Sequence, residues 1–200
     1  VETFIEHARS FNARIAAVHE ERETYQRLAD GQSPLALFIT CSDSRIIPSL
    51  ITGALPGELF ELRTAGNAVP PHRPGMPASA EAATIEYAMR VLRVADIVVC
   101  GHSHCGAVGA MARREDLAGA PDVRAWLTQQ VSGELPRDEA PTVATAVQQH
   151  VTEQLARLRA YPCVRERVDA GEVSLHGWYY EVHTGLVSAH CPATETFLPL

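Results

Sequence analysis

The eleven residues Leu35 to Arg45, LALFITCSDSR, constrain this chain more than any other stretch. Leu35 to Thr40 is a continuous apolar run containing Phe38 and Ile39. Such a run reads as a strand covered on both faces, as in a parallel sheet. It ends abruptly in a cysteine, an aspartate and an arginine at alternate positions, Cys41, Asp43 and Arg45. Chemistry-bearing side chains directly after a buried strand point to a ligand site at its carboxyl end.

The rest of the chain repeats this grammar. Val1 to Asp30 carries two helical patterns, a short one around Thr3 to Ser10 and a second through Ile15, Val18, Tyr25 and Leu28. Ser44 to Leu50 reads as a helical turn interrupted by Pro48. Glu58 to Arg63 is a second strand, with Arg63 and Asn67 flanking its end, and Val69 to Pro77 is an irregular proline-rich loop. Ser79 to Leu92 is a helix whose stripe is Ala82, Ile85, Ala88, Met89 and Leu92. Asp96 to Gly101 is a third apolar strand running into His102. Helices are predicted over Pro121 to Val131 and Pro141 to Leu158, with a polar loop at Gly133 to Asp138 between them. Val173 to Val182 and Leu186 to Ala189 form a last strand pair joined by His183-Thr184-Gly185. The expected fold is α/β: a mainly parallel central sheet with helices on both faces and an antiparallel C-terminal edge strand, in one domain over residues 1–200.

Composition excludes several classes of function. The formal net charge is -7 and the chain contains no lysine, so neither a Schiff-base nor a P-loop lysine is available. No basic stretch exists to engage a nucleic-acid backbone. No window approaches the roughly 18 apolar residues of a membrane helix. The sequence lacks an initiator Met and any signal-peptide pattern, and is expected to be trimmed at its N-terminus. Five cysteines, an odd number, fit free thiols in a reducing compartment, so the cytoplasm is expected.

His102 and Cys105 stand at i and i+3, between Gly101 and Gly106, where both side chains can face one side of a turn. Cys41 arrives from a neighbouring strand end. Two thiolates and an imidazole suit Zn2+, one per chain, and three protein ligands leave a fourth position for chemistry. The bland alternative is that the cysteines are small buried hydrophobes. Asp43 and Arg45 also carry two readings. They form either a structural ion pair beside the helical turn or a catalytic pair in which Asp43 orients a water molecule while Arg45 keeps it off the cation.

Four blocks in order resemble the signature of the β-class carbonic anhydrases: Cys41-Ser42-Asp43-Ser44-Arg45, Pro56-Gly57-Glu58-Leu59-Phe60, Arg63-Thr64-Ala65-Gly66-Asn67 and Gly101-His102-Ser103-His104-Cys105-Gly106. The resemblance is strong over residues 31 to 110 and weaker to the end. It implies Cys41, His102 and Cys105 as zinc ligands and Asp43 with Arg45 as the catalytic dyad. It further implies a substrate site in which Gln32 donates a hydrogen bond, Phe60, Ala65 and Tyr87 line an apolar pocket for CO2, and Gly106 contributes backbone. The implied activity is reversible hydration of CO2 to bicarbonate and a proton by attack of zinc-bound hydroxide. The implied assembly is a homodimer or larger homo-oligomer, with the arm of residues 1–30 packing on a partner subunit. Nothing in it implies a nucleic-acid or membrane partner.

Departures from the family's pattern sharpen the expectation. Some bacterial members close their site using a Trp three residues before the first zinc cysteine; here that residue is Phe38. Together with the retained Gln32, this predicts an open site with Asp43 on Arg45. Val91 stands where some plant-like members have a proton-transferring His, so His104 and His72 are the candidate shuttles by proximity. Two rival functions share these residues: hydrolysis of carbon disulfide or carbonyl sulfide, and non-catalytic binding of bicarbonate by a zinc-stabilised module.

Overall fold

A computed structural model describes residues 1–130 and 142–200. The elements are α1 (Glu2–Ala17), α2 (His19–Arg27), β1 (Ala36–Cys41), α3 (Pro48–Thr52), β2 (Leu59–Thr64), α4 (Ala80–Glu86), β3 (Asp96–His102), α5 (Gly106–Ala112), α6 (Pro121–Gln130), α7 (Val143–Arg159), α8 (Pro162–Asp169), β4 (Ser174–Tyr180), β5 (Val187–Cys191) and β6 (Thr196–Pro199). The strands form one sheet in the order β2-β1-β3-β4-β5-β6. The first four run parallel, and β5 and β6 are added antiparallel. This is the expected mixed α/β architecture with an antiparallel C-terminal edge.

All six residues of β1 are buried, because it lies between β2 and β3 with both faces covered. Leu37, Ile39 and Cys41 point to the larger apolar cluster, which Ile85, Met89, Val108, Val147, Val151, Leu158 and Val164 complete from the helices. Phe38 faces the opposite side with Val98 and Cys100, its ring edge-on to Trp178 at 5.9 Å. The chain leaves β1 to one side for β2 and crosses to the other for β3. Such a reversal is where a parallel sheet offers a ligand site, at the carboxyl end of β1.

Several boundaries differ from the sequence reading. The first helix runs sixteen residues, through Ala17, and the break falls at Val18, which is extended. Ile15 and Tyr25 therefore belong to different helices. Neither α1 nor α2 contains a buried residue. Pro48 begins α3 instead of interrupting it, since a helix's first turn needs no proline N–H. Ser79 caps α4 by accepting from the Ala82 amide, and the helix widens into a π-helical turn over Tyr87–Leu92. Helices α5 and α8 and strand β6 had no expectation. Strand β3 continues one residue further than expected, so His102 is its last residue. Val131, Pro141 and the loop expected at Gly133 to Asp138 lie outside the described residues.

Helix α7 crosses β3 so closely that a β-carbon on Gly101 would sit 2.6 Å from Val147 Cγ1 and 2.7 Å from Val151 Cγ2. The same helix reaches the loop after β2. His150 Nε2 donates to the Gly66 carbonyl at 2.8 Å, and Gln154 Oε1 accepts from the Val69 amide at 2.8 Å. Burial pushes the His150 imidazole down from 6.5 to about 4, against the opposing effect of its bond to Gly66.

Two outcomes follow from this packing. Gly101→Ala should lose about 1–3 kcal/mol in urea unfolding, because rigid valines on α7 must move aside; an unchanged midpoint would contradict the close approach. His150 stays neutral in the fold while the unfolded chain protonates between pH 6.5 and about 4. Its contribution is complete above pH 6.5 and is lost as pH falls toward 4, by up to about 3 kcal/mol. Wild type should therefore lose more stability than His150→Gln between pH 7 and 4.5, and parallel losses would contradict that assignment.

Candidate metal centre

The sheet delivers three side chains to one point. Cys41 ends β1, His102 ends β3, and Cys105 precedes α5 after a tight turn in which His104 takes a φ of 57°. The sulfurs of Cys41 and Cys105 and a ring nitrogen of His102 all lie within 4.8 Å of one another. All three residues are buried.

The hydrogen bonding around this cluster favours a cation. The Ser103 carbonyl lies 2.9 Å from His102 Nδ1 and can only accept, so the proton sits on Nδ1. That leaves a lone pair on Nε2, which is buried and has no hydrogen-bond partner among the described residues. The two thiols pull each other in opposite directions. Hydrogen bonding from Cys105 lowers the Cys41 thiol, and the backbone N–H groups of Asp43 and Gly66 help. That same bond to Cys41, with burial and the neighbouring negative charge, pushes Cys105 far up. A second thiolate is therefore costly here without a positive charge between the sulfurs. A borderline-soft dication such as zinc fits the two sulfurs and the orphaned Nε2.

Asp43 borders the cluster, its Oδ2 3.9 Å from His102 Nε2. Arg45 grips it in a fork: Nε donates to Oδ1 at 2.9 Å and Nη2 donates to Oδ2 at 2.7 Å. The Arg45 amide adds a bond to Oδ1 at 3.0 Å. This arginine holds the Asp43 carboxyl well below the usual carboxylate range. Arg45 Nη2 also donates to the His104 carbonyl at 3.0 Å, tying the loop after β1 to the turn between His102 and Cys105.

Arg63, at the end of β2, fastens the Cys41–Ile46 loop from beneath. Its guanidinium donates to the carbonyls of Cys41 at 3.0 Å, Asp43 at 2.9 Å and Ile46 at 2.8 Å. Ser42 N–H bonds the Thr64 carbonyl at 3.0 Å, and Ser103 N–H bonds the Tyr180 carbonyl at 2.9 Å. Each ligand-bearing loop is thus pinned to the strand beside its own.

The remaining candidates divide. Ala65 follows β2 directly, one residue past Thr64, the register partner of Cys41, and Gly66 N–H points at Cys41 Sγ from 3.4 Å. Gly106 is exposed and follows Cys105, with open space where a β-carbon would stand. Phe60 and Tyr87 pair their rings at 5.8 Å, but far from this cluster. Phe60 lies opposite Leu37, four residues before Cys41 in the register, or about 13 Å along the sheet. Gln32 is exposed on the amino-terminal side of β1. Of the two candidate shuttles, His104 stands at the centre, its ring edge-on to His183 at 5.8 Å. His72 lies against Tyr161 in a cavity of about 520 Å³ whose lining includes none of the three clustered residues.

Sequence reasoning passed over Trp126, His150 and Gln154, which hold the loop after β2 from α6 and α7. No local signal marks them, since each lies on a helix remote in sequence from what it touches.

Comparison with known proteins agrees with this geometry. The family model described as carbonic anhydrase matches residues 36–187. A carbonic anhydrase of Pseudomonas aeruginosa is 42% identical over 89% of this chain and 83% of its own length. Among solved structures, the β-carbonic anhydrase CcaA superimposes with a TM-score of 0.87 at 34% identity, covering 100% of this chain and 98% of that one. A tetrameric β-carbonic anhydrase from Sordaria macrospora gives 0.76 at 29% identity, covering 94% of this chain and 97% of that one. The chain belongs to the carbonic anhydrase family, within its β class.

Proposed function

We propose that this protein catalyses the reversible hydration of CO2 to bicarbonate and a proton. Cys41, His102 and Cys105 would hold one zinc ion, and Asp43 and Arg45 would form the catalytic pair. The observation that carries this reading is the position of Asp43. Its carboxylate stands 3.9 Å from the orphaned His102 nitrogen yet is gripped through both oxygens by Arg45. A carboxylate held this way cannot swing freely onto a cation, which is what an open site requires.

When bound, zinc supplies a Lewis acid that can bring the pKa of water to about 7. The chain's own residues do the rest. Asp43 stays ionised and accepts one hydrogen of the attacking water, fixing the direction of its lone pair toward carbon. Arg45 keeps Asp43 in place, and its second bond to the His104 carbonyl keeps Arg45 in place. Carbon gains the oxygen, and one proton passes to solvent beside His104 and His183. Ala65 and the backbone at Gly106 border the space where CO2 would lie.

Gln32, Phe60 and Tyr87 serve such a pocket only if a second copy brings them, because the chain's own copies lie toward the amino end of the parallel strands. We therefore propose a homodimer or a multiple of one, with the 1–30 arm lying on the partner. The support is the bare arm: α1 and α2 contain no fully buried residue, and Phe4 is 76% exposed. Residues 1–200 then act as one domain plus that arm. We place the protein in the cytoplasm, on the support of five cysteines that form no disulfide; no helix among the described residues is long and apolar enough to cross a membrane.

Stopped-flow CO2 hydration with zinc content measured on the same sample tests the reaction. Wild type should hydrate CO2 with one zinc per chain and prefer it to carbonyl sulfide. Cys41→Ser should lose both metal and activity, and Asp43→Asn should keep zinc while kcat/KM falls about a hundredfold or more. Wild-type turnover in Asp43→Asn would remove that residue from the mechanism. For the assembly, Phe4→Asp should shift sedimentation toward the monomer, and an unchanged oligomer would contradict the role of the arm.

A further inference from the structure

The peptide joining Ala65 to Gly66 is held at both ends. Its carbonyl accepts from the indole Nε1 of Trp126 on α6 at 2.9 Å, and its N–H donates to Cys41 Sγ at 3.4 Å. The next carbonyl, that of Gly66, accepts from the buried His150 Nε2 on α7 at 2.8 Å. Two helices therefore grip the two peptides that flank Gly66, one each. Gly66 has a φ of 74°, and a β-carbon there would stand 3.2 Å from the Ala107 β-carbon, so the turn is built for glycine.

From this we infer that Trp126 and His150 are positioning residues for the metal centre, forming a two-point clamp that aims the Gly66 N–H at the Cys41 sulfur. A peptide is planar and rigid, so fixing its carbonyl direction also fixes its N–H direction. An amide polarised at its oxygen is a stronger donor at its nitrogen. A hydrogen bond to a ligating sulfur draws charge from it, which leaves the bound cation more electron-poor. His150 suits the task because its tautomer is set. The Gly66 carbonyl demands a proton on Nε2, while Gln154 Nε2 faces Nδ1 at 3.4 Å. Gln154 in turn is oriented by the Val69 amide, so α7 fixes the imidazole and the imidazole fixes the turn.

The inference rests on the proposal that Cys41 binds metal, and cobalt substitution separates the two. Cobalt-loaded wild type should show a thiolate-to-cobalt charge-transfer band; its absence would remove Cys41 and Cys105 as ligands and the clamp with them. Given that band, Trp126→Phe keeps an aromatic ring but loses the donor. The band should move to longer wavelength, because a sulfur relieved of its hydrogen bond gives up an electron more readily, and zinc affinity should fall about tenfold. His150→Leu should do the same, whereas His150→Gln, which retains an N–H donor, should stay near wild type in both. An unmoved band in Trp126→Phe and His150→Leu overturns the clamp, even if zinc affinity falls, since loosened packing alone would explain that fall. His150→Gln as impaired as His150→Leu overturns it as well. Should Trp126→Phe fail to fold, the two His150 variants decide the question by the same band.

Discussion

Two buried thiols and a buried imidazole nitrogen confined within 4.8 Å form an arrangement that apolar packing alone does not explain. The His102 proton is committed to the Ser103 carbonyl, and the thiols can keep only one negative charge comfortably between them. A dication resolves all three demands together: it takes the nitrogen lone pair, and it makes the second thiolate favourable. The surrounding architecture serves to keep these atoms together, and the rest of the site follows from where the strands place them.

Parallel strands supply that placement at little extra cost. Because β2, β1 and β3 run the same way and order reverses at β1, their carboxyl ends lie side by side. Strand ends alone would leave the loops free, and the structure answers this with arginines and helices. Arg63 collects three carbonyls of the loop after β1, Arg45 spans from Asp43 to His104, and α7 reaches over Gly101 to hold the turn at Gly66. Without lysine, every basic anchor in the molecule is a guanidinium, whose fork can satisfy several acceptors in fixed directions.

Much of this was legible in the residues. The apolar run before Cys41 read correctly as a strand buried on both faces, and the periodicities of Ala82 to Leu92 and Val143 to Leu158 marked helices whose stripes do enter the core. Local pattern sufficed there because burial imposes the pattern directly. It failed where the deciding contact was remote or the signal was ambiguous. Pro48 looked like an interruption because a proline inside a run and a proline at a first turn read alike until the start of the helix is known. The arm divides at Val18, one of several apolar residues in a stretch where no residue is fully buried, so periodicity has no core to report. Trp126 and His150 carry no local signal because their partners lie 61 and 84 residues away in sequence. Gln32, Phe60 and Tyr87 came from family resemblance, and within one chain they do not reach the centre.

The account turns on Asp43 remaining on Arg45 while three side chains hold the metal. A crystal structure of the zinc-loaded protein near pH 8, with anomalous scattering recorded at the zinc edge, tests this most directly. The predicted result is zinc on Cys41 Sγ, His102 Nε2 and Cys105 Sγ, a solvent molecule as the fourth ligand, and Asp43 still forked onto Arg45. An Asp43 oxygen within bonding distance of zinc, with the fork to Arg45 broken, would contradict it.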